Sequence, residues 1–180
     1  MHCILRTLLV FVLLGAAGFA ADNFAETKKK AEAGDAKAQY NLGHMYNAGE
    51  DMPKDTAEAV KWLRLAADQG FAKAQSSLGL MYQLGEGVLE DSSEAIKWYR
   101  LAAAQGDARG QNSLGMCYAY GDGLSKNLVQ AHVWFNIAVA NGHKTAKEHL
   151  ADVAKEMTSE QKAEAMKLAR ELFAKLPKGK

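Results

Sequence analysis

The sequence predicts an all-α fold built from a repeated pair of helices. Identical residues recur at intervals of 36 positions along the 180-residue chain, in series such as Gly34, Gly70, Gly106 and Gly142, and Leu42, Leu78, Leu114 and Leu150. Tryptophan keeps the same interval at Trp62, Trp98 and Trp134. Alanine, leucine, lysine, glutamate and glutamine, which favour helices, dominate the composition, and only two prolines interrupt it. A fixed period of this length indicates an array of repeated helical units.

The overall charge excludes one class of partner. The chain has 22 Lys and Arg against 21 Asp and Glu, with a formal net charge of +1. Proteins that bind nucleic acid need a clustered basic surface, so this balance gives no reason to expect DNA or RNA as a partner. With 48% hydrophobic and 24% charged residues, the composition is that of a globular chain, long enough for one domain or one short array.

The N-terminal segment 1–20 has the composition of a cleavable signal peptide. Arg6 provides the positive charge, residues 8–17 form a short apolar core, and Gly18 and Ala20 are the small residues that signal peptidase requires. We expect cleavage after Ala20 and a periplasmic or secreted mature chain, formally neutral because the segment carries one base and no acid. An uncleaved anchor is the alternative, although this stretch is shorter than the roughly 20 residues that span a bilayer.

The first helix of each unit presents one face that recurs along the chain. Apolar residues at the spacing of one helix face are predicted to be buried, and in the first unit these are Ala38, Leu42, Met45 and Tyr46. Gly43 has no side chain, so the second helix is expected to approach closely there. Cys117, the one cysteine left after signal cleavage, falls within this pattern in the third unit and is predicted to be a buried core residue.

The second helix of each unit has recognisable ends. Its start is marked by an Asp or Asn followed three positions later by an acceptor side chain, in the pairs Asp55 and Glu58, Asp91 and Glu94, and Asn127 and Gln130. This spacing predicts a capping box. Ala59, Trp62 or its neighbour, and Ala66 form the predicted buried stripe. A glycine such as Gly70 ends the helix in the left-handed conformation, and Asp51 replaces a linker glycine of the later units, so that turn is expected to differ.

The period also sets the boundaries. After the signal peptide we expect a capping helix, three full repeats, an atypical C-terminal unit and a frayed tail, at 21–33, 34–69, 70–105, 106–141, 142–176 and 177–180. In the last unit the linker is shortened, and Thr158 with Gln161 predicts a capping box for a closing helix from about Ser159 to Lys175. That helix is predicted to turn four side chains towards the core: Ala163, Met166, Leu168 and Leu172.

Two consecutive motifs summarise each unit, A-x-x-x-L-G-x-x-Y-x-x-G and A-x-x-W-x-x-x-A-A-x-x-G. The stretch AKAQSSLGLMYQLGEGVLEDSSEAIKWYRLAAAQG, which begins at Ala72, is close to an ideal copy. The motifs resemble the Sel-one-like repeat, a branch of the tetratricopeptide superfamily, over about residues 34–157. This resemblance implies a right-handed α-solenoid of about 3.5 two-helix repeats, each 36 residues long.

A second stripe on the first helices is the candidate binding surface. Solenoids offer a concave groove for binding, and residues beside the buried stripe vary between units because the fold does not require their identity. We predict that a partner binds through Lys37, Tyr40, His44, Asn47, Lys73, Ser76, Leu80, Gln83, Arg109, Asn112 and Met116. Tyrosine, leucine and methionine beside lysine and arginine suit a protein or peptide. The alternative is a plain solvated face.

The histidines do not form a metal motif. His143 and His149 are six positions apart, whereas metal ligands on one helix face stand three or four apart, so we expect no metal and no other cofactor. His132 occupies the position of Val60 and Ile96 in the earlier units and is predicted to be partly buried.

A serine motif leaves one enzymatic alternative open. Ser159 and Lys162 form an S-x-x-K sequence, the nucleophile motif of penicillin-recognising enzymes, although the accompanying S-D-N and K-T-G elements are missing and helix capping explains the serine. Some members of the repeat family are described as weakly penicillin-binding. A weak hydrolase or binder acting on β-lactams or cell-wall peptides is therefore the alternative function.

The resemblance implies a scaffold. Family members in bacterial envelopes serve as regulators of sensor proteins, assembly scaffolds, host-factor binders or immunity proteins against secreted toxins. We therefore predict an adaptor without catalytic residues that binds a protein or peptide partner in its groove. We expect a monomer that does not insert into a membrane after signal cleavage.

Overall fold

The structure, a computed structural model, describes residues 23–49 and 52–177. These residues form helices joined by short turns. The first helix, α1, covers residues 23–32. It is followed by α2 (Ala36–Ala48), α3 (Thr56–Asp68), α4 (Ala72–Leu84), α5 (Ser92–Ala104), α6 (Ala108–Tyr120), α7 (Leu128–Ala140), α8 (Ala146–Lys155) and α9 (Ser159–Phe173). The predicted all-α repeat fold is confirmed. The predicted signal peptide, Asp51 and residues 178–180 lie outside the described residues.

The predicted helix pairs are α2 with α3, α4 with α5, and α6 with α7, and each pair packs against the next. Within a pair the helices meet at a glycine. A Cβ atom added to Gly79 would lie 2.7 Å from Cε1 of Tyr99 and 3.1 Å from the carbonyl oxygen of Ala95, so a side chain would overlap both. The residue that fills this contact follows the half-buried tryptophan of each repeat and is itself buried: Leu63, Tyr99 and Phe135.

The N-terminal caps of α3, α5 and α7 are confirmed, but the predicted capping box forms only in part. Oδ1 of Asp55 accepts a hydrogen bond from the backbone N–H of Glu58, and the caps of α5 and α7 do the same. The backbone N–H of Asp55, which the box assigns to the Glu58 side chain, donates to the carbonyl oxygen of Tyr46 at 2.9 Å. Glu58 therefore accepts from Lys61 instead, at 2.7 Å.

Buried glutamines join consecutive repeats, a feature that the sequence analysis missed. Nε2 of Gln75 donates to the carbonyl oxygen of Ala67 at 3.1 Å, and Oε1 of Gln75 accepts from Nε2 of Gln105 at 2.7 Å. Gln39 and Gln111 make the equivalent bonds in the other repeats. Because each buried side chain bonds the helices before and after its own, the three glutamines stabilise the register between neighbouring repeats.

The C-terminal unit departs from the repeat, and α9 packs against α7. The predicted capping box at the start of α9 is complete. The prediction that Ala163 and Met166 face the core is wrong, because the stripe of α9 that is buried runs through Ala165 and Ala169 and leaves the other two exposed. The remaining predicted core residues are partly buried against this cluster: Leu168 and Leu172.

Cys117 lies in the core, as predicted. Cys117 is buried, and its burial raises the pKa of the thiol to about 11, so the thiol is protonated at neutral pH. At the N-terminal end, α1 covers the first repeat through Phe24, whose ring packs edge-on against Tyr46 with centroids 6.0 Å apart. Within the described ranges, no helix combines the length and apolar character that crossing a membrane requires.

Candidate binding face

The first helices of successive repeats lie side by side in one layer. α4 packs against α6 and α6 against α8, and on α2 Nε2 of His44 lies 3.3 Å from Oγ of Ser77 on α4. The stripe predicted to bind a partner lies on this layer, and the structure extends it by two exposed residues at the ends of α4 and α6. We call the whole set the inner face: Lys37, Tyr40, His44, Asn47, Lys73, Ser76, Leu80, Gln83, Leu84, Arg109, Asn112, Met116 and Tyr120.

One end of the inner face is held together across three repeats. Nη2 of Arg109, on α6, lies 3.3 Å from the hydroxyl of Tyr40 on α2 and 3.3 Å from the carbonyl oxygen of Lys73 on α4. The ring of Tyr40 packs edge-on against His44, with centroids 4.4 Å apart, and against Phe71 at 5.3 Å. Residues far apart in the sequence therefore meet beside the start of α4.

Apolar side chains are exposed in the middle of the inner face and at its other end. Leu80 is 47% exposed, Leu84 56% and Tyr120 74%. Met116 is partly buried beside them and, with Tyr120, lines a depression of about 80 Å³ between α6 and α8. The sequence analysis missed Leu84 and Tyr120, although they follow Leu80 and Met116 by four residues and so share a helix face with them.

Besides Tyr40, His44 and Arg109, three more of the predicted binding residues contact other parts of the protein. Ser76 and Asn112 are buried, and Oδ1 of Asn112 lies 2.9 Å from Nδ1 of His149 on α8. Gln83 accepts a hydrogen bond from the hydroxyl of Tyr99 at 2.8 Å. It also donates one to the carboxylate of Asp122, which lies in the linker after α6, at 2.7 Å. These side chains fix the neighbouring helices and offer a partner little surface, so the exposed members of the inner face are the better candidates.

The residues considered as metal ligands or as a nucleophile lie at ordinary positions in helices. Within the part of the chain that the structure describes, no group of three or more His, Cys, Asp and Glu side chains is arranged to hold a metal ion. Ser159 is exposed at the first position of α9, directly after the cap Thr158. His132 is buried, and this burial, with a smaller contribution from Lys162, lowers its pKa.

These features define an α-solenoid of helix pairs, in which the layer of first helices carries exposed side chains that vary between repeats. The Sel1 repeat matches residues 36–71, 72–107 and 108–143, in register with the three helix pairs. The chain belongs to the Sel1 repeat family.

Similar proteins include binding and antigenic proteins of bacteria. The chain is 39% identical over 57 residues to the secretory immunoglobulin A-binding protein EsiB of Escherichia coli O6:H1, a segment that covers 32% of this chain and 12% of EsiB. The crystal structure of a protective antigen from uropathogenic Escherichia coli strains, which displays an SLR fold, matches with a TM-score of 0.79 and 36% identity, covering 85% of this chain and 33% of the antigen. A Sel1 repeat protein from Oxalobacter formigenes matches with a TM-score of 0.64 and 38% identity, over 72% of this chain and 98% of that chain.

Proposed function

We propose that this chain is a non-catalytic scaffold that binds a protein or peptide partner on its inner face, in the periplasm or outside the cell. The observation that carries the proposal is the exposure of Leu80, Leu84 and Tyr120 on one layer of helices. Clustered exposed apolar side chains cost solubility and mark interaction surfaces. Tyrosine beside apolar residues is also typical of the energetic centre of a protein interface.

The similar proteins support binding as the class of activity. EsiB is described as binding secretory immunoglobulin A, a protein ligand, and the family match places the same repeat in this chain. This chain spans about an eighth of EsiB in the matched segment, so we propose the class of activity and not the same ligand. A regulator, an adaptor and an immunity-type protein all fit a scaffold that acts by affinity alone.

Secretion is supported by the sequence of residues 1–20, with its basic start, apolar core and small residues before Ala21. A partner in the bacterial envelope or in its surroundings follows from that location.

Hydrolysis of β-lactams or cell-wall peptides has little support, because the S-x-x-K serine is an exposed residue of a helix start. If Ser159 were a nucleophile, Ser159→Ala would abolish any turnover of β-lactams or peptidoglycan fragments. We expect the wild type and the variant to be indistinguishable in both assays.

The proposal can be tested with two pairs of leucines of similar exposure. Leu80 and Leu84 lie on the inner face, 47% and 56% exposed, whereas Leu65 and Leu101 lie on the second helices α3 and α5, 47% and 50% exposed. We would purify tagged wild type, Leu80→Ser with Leu84→Ser, and Leu65→Ser with Leu101→Ser from the native compartment, after circular dichroism has shown equal helix content.

The expected result is a stoichiometric protein that is retained by the wild type and by the α3–α5 variant and is lost from the inner-face variant. Capture that survives on the inner-face variant, or that disappears from the α3–α5 variant alone, would contradict the proposed surface.

A further inference from the structure

In the three full repeats, the charges of the first helices are of one sign. α2, α4 and α6 contain no Asp or Glu, and their charged side chains are Lys37, Lys73 and Arg109. Each of the three is the second residue of its helix, and each is exposed. The second helices α3 and α5 differ, because they carry both signs and pair them within the helix. A chain of almost no net charge therefore places a row of cations along one end of its inner face.

Two carboxylates near this row accept hydrogen bonds from backbone N–H groups and do not pair with its cations. Asp35 and Asp107 cap α2 and α6, accepting backbone N–H groups of Ala38 at 2.6 Å and Gly110 at 2.8 Å. The corresponding cap position of α4 is Phe71, which has no carboxylate. Within the described residues, none of the three cations of the row forms an ion pair.

Two acidic residues at the far side of the layer pair with lysines. Asp152, on α8, pairs with Lys155 at 2.6 Å, and Glu156, directly after α8, pairs with Lys126 at 3.1 Å. The residues of the inner face include three cations and no carboxylate. The Arg109 side chain reaches back over the start of α4, towards Lys73.

We infer that the inner face binds an acidic segment of its partner, with Asp or Glu side chains against Lys37, Lys73 and Arg109 and an apolar side chain against Leu80 and Leu84. Complementary charge selects the partner and sets the register of binding, while the leucines remove apolar surface from water. The inference rests on the proposed function, since it names the chemistry of the ligand for the same surface.

The spacing of the two subsites defines a pattern in the ligand. Lys73 precedes Leu80 by two helical turns, about 10 Å at a rise of 1.5 Å per residue, and precedes Leu84 by about 16 Å. An extended peptide covers about 3.3 Å per residue. A segment that contacts both subsites along α4 thus has its acidic and apolar residues about three to five positions apart.

The test is a selection of random displayed peptides on the purified chain and on three variants. The cation variant is Lys37→Gln, Lys73→Gln and Arg109→Gln. Its matched control removes three positive charges from the second helices, by Lys61→Gln, Lys97→Gln and Arg100→Gln. The leucine variant is Leu80→Ser with Leu84→Ser. Thermal unfolding followed by circular dichroism checks that all four chains fold alike.

We expect the wild type and the charge control to enrich peptides with an acidic residue about three to five positions from an apolar one. Synthetic copies of these peptides should bind the cation variant roughly tenfold more weakly in fluorescence anisotropy, and added salt should weaken their binding to the wild type.

Other outcomes overturn the inference in distinguishable ways. Enriched peptides that have no acidic excess but are lost on the leucine variant would refute the acidic ligand and leave the inner face as the binding surface. Peptides whose enrichment is the same on the cation and leucine variants as on the wild type, or no enrichment at all, would refute both the inference and the proposed function.

Discussion

The helices α5 and α7 occupy the same place in consecutive repeats, yet they meet different surroundings. On α5, Leu101 is 50% exposed and Lys97 is exposed as well. On α7, the equivalent residues are Ile137 and Val133, which are 1% and 2% exposed. The difference arises because α9 packs against α7, whereas no helix among residues 23–49 and 52–177 covers α5 in the same way.

This contrast shows that the period alone does not decide which side of a helix is buried. α7 contains no charged residue, while α5 has Glu94, Lys97 and Arg100. A helix that is apolar on most sides is expected to be enclosed. The composition of α7 therefore indicates that a further element covers it, and that element is α9.

The largest effect is expected from truncating Ile137 on α7, compared with the same change at its equivalent Leu101 on α5. Ile137→Ala should lower the free energy of unfolding by about 3 kcal/mol, because it leaves a cavity between α7 and α9. Leu101→Ala should cost less than about 1 kcal/mol, because its side chain is already half in water. Urea unfolding followed by circular dichroism measures both, and equal losses would show that α9 does not cover α7 in solution.

A smaller effect is expected from the glutamines that join the repeats. Gln75→Ala removes the hydrogen bonds to the carbonyl oxygen of Ala67 and to the Gln105 side chain. Because that carbonyl oxygen still accepts from the N–H of Gly70, the expected loss is that of two ordinary hydrogen bonds and of the buried side chain's packing, about 1–2 kcal/mol. The matched change is Gln105→Ala. Because the Gln105 side chain is exposed, water can replace it, and the free energy of unfolding should fall by less than about 1 kcal/mol. The same urea titration applies, and a neutral Gln75→Ala would remove the glutamines from the contacts that stabilise the array.

The third prediction concerns pH and again compares α7 with its neighbours. Burial lowers the pKa of His132, with a smaller contribution from Lys162, so protonation is less favourable in the folded chain than in the unfolded chain. Stability should therefore fall as the pH drops below the ordinary histidine pKa of about 6.5. His132→Val, which restores the residue type of Val60, should reduce that fall.

Unfolding midpoints at about pH 7.5 and pH 5.5 test this prediction. Part of the pH dependence should persist in His132→Val, because burial also lowers the pKa of His143. An unchanged pH dependence would mean that His132 is hydrated in the folded chain.

The sequence predicted the helix pairs, the caps of the second helices and the close approach at the glycines, because each of these depends on local residues that recur at the period. It missed what depends on contacts between repeats. Gln39, Gln75 and Gln111 recur at the 36-residue interval, and that recurrence was the available signal, but a polar residue beside the apolar stripe reads as solvated when only its own helix is considered. Ser76 and Asn112 are likewise buried by neighbouring helices on both sides. Tyr40, at the same position of the first repeat, is partly exposed, so the position alone does not predict burial.

The candidate surface was predicted in part. The stripe through Leu80 and Arg109 lies where the repeat pattern placed it, and whether it binds a partner stays a prediction. Leu84 and Tyr120 share that helix face but stand in the last position of α4 and α6, where a pattern based on the middle of the helix does not reach.

The most direct measurement of the central claim is photo-crosslinking from two positions of equal exposure. A photoreactive amino acid would replace Leu80 on the inner face in one chain and Leu65 on α3 in another, since both leucines are 47% exposed. Irradiation in the native compartment should give a discrete adduct with a partner protein from position 80 and none from position 65. An adduct from position 65 alone, or equal adducts from both, would contradict binding on the inner face.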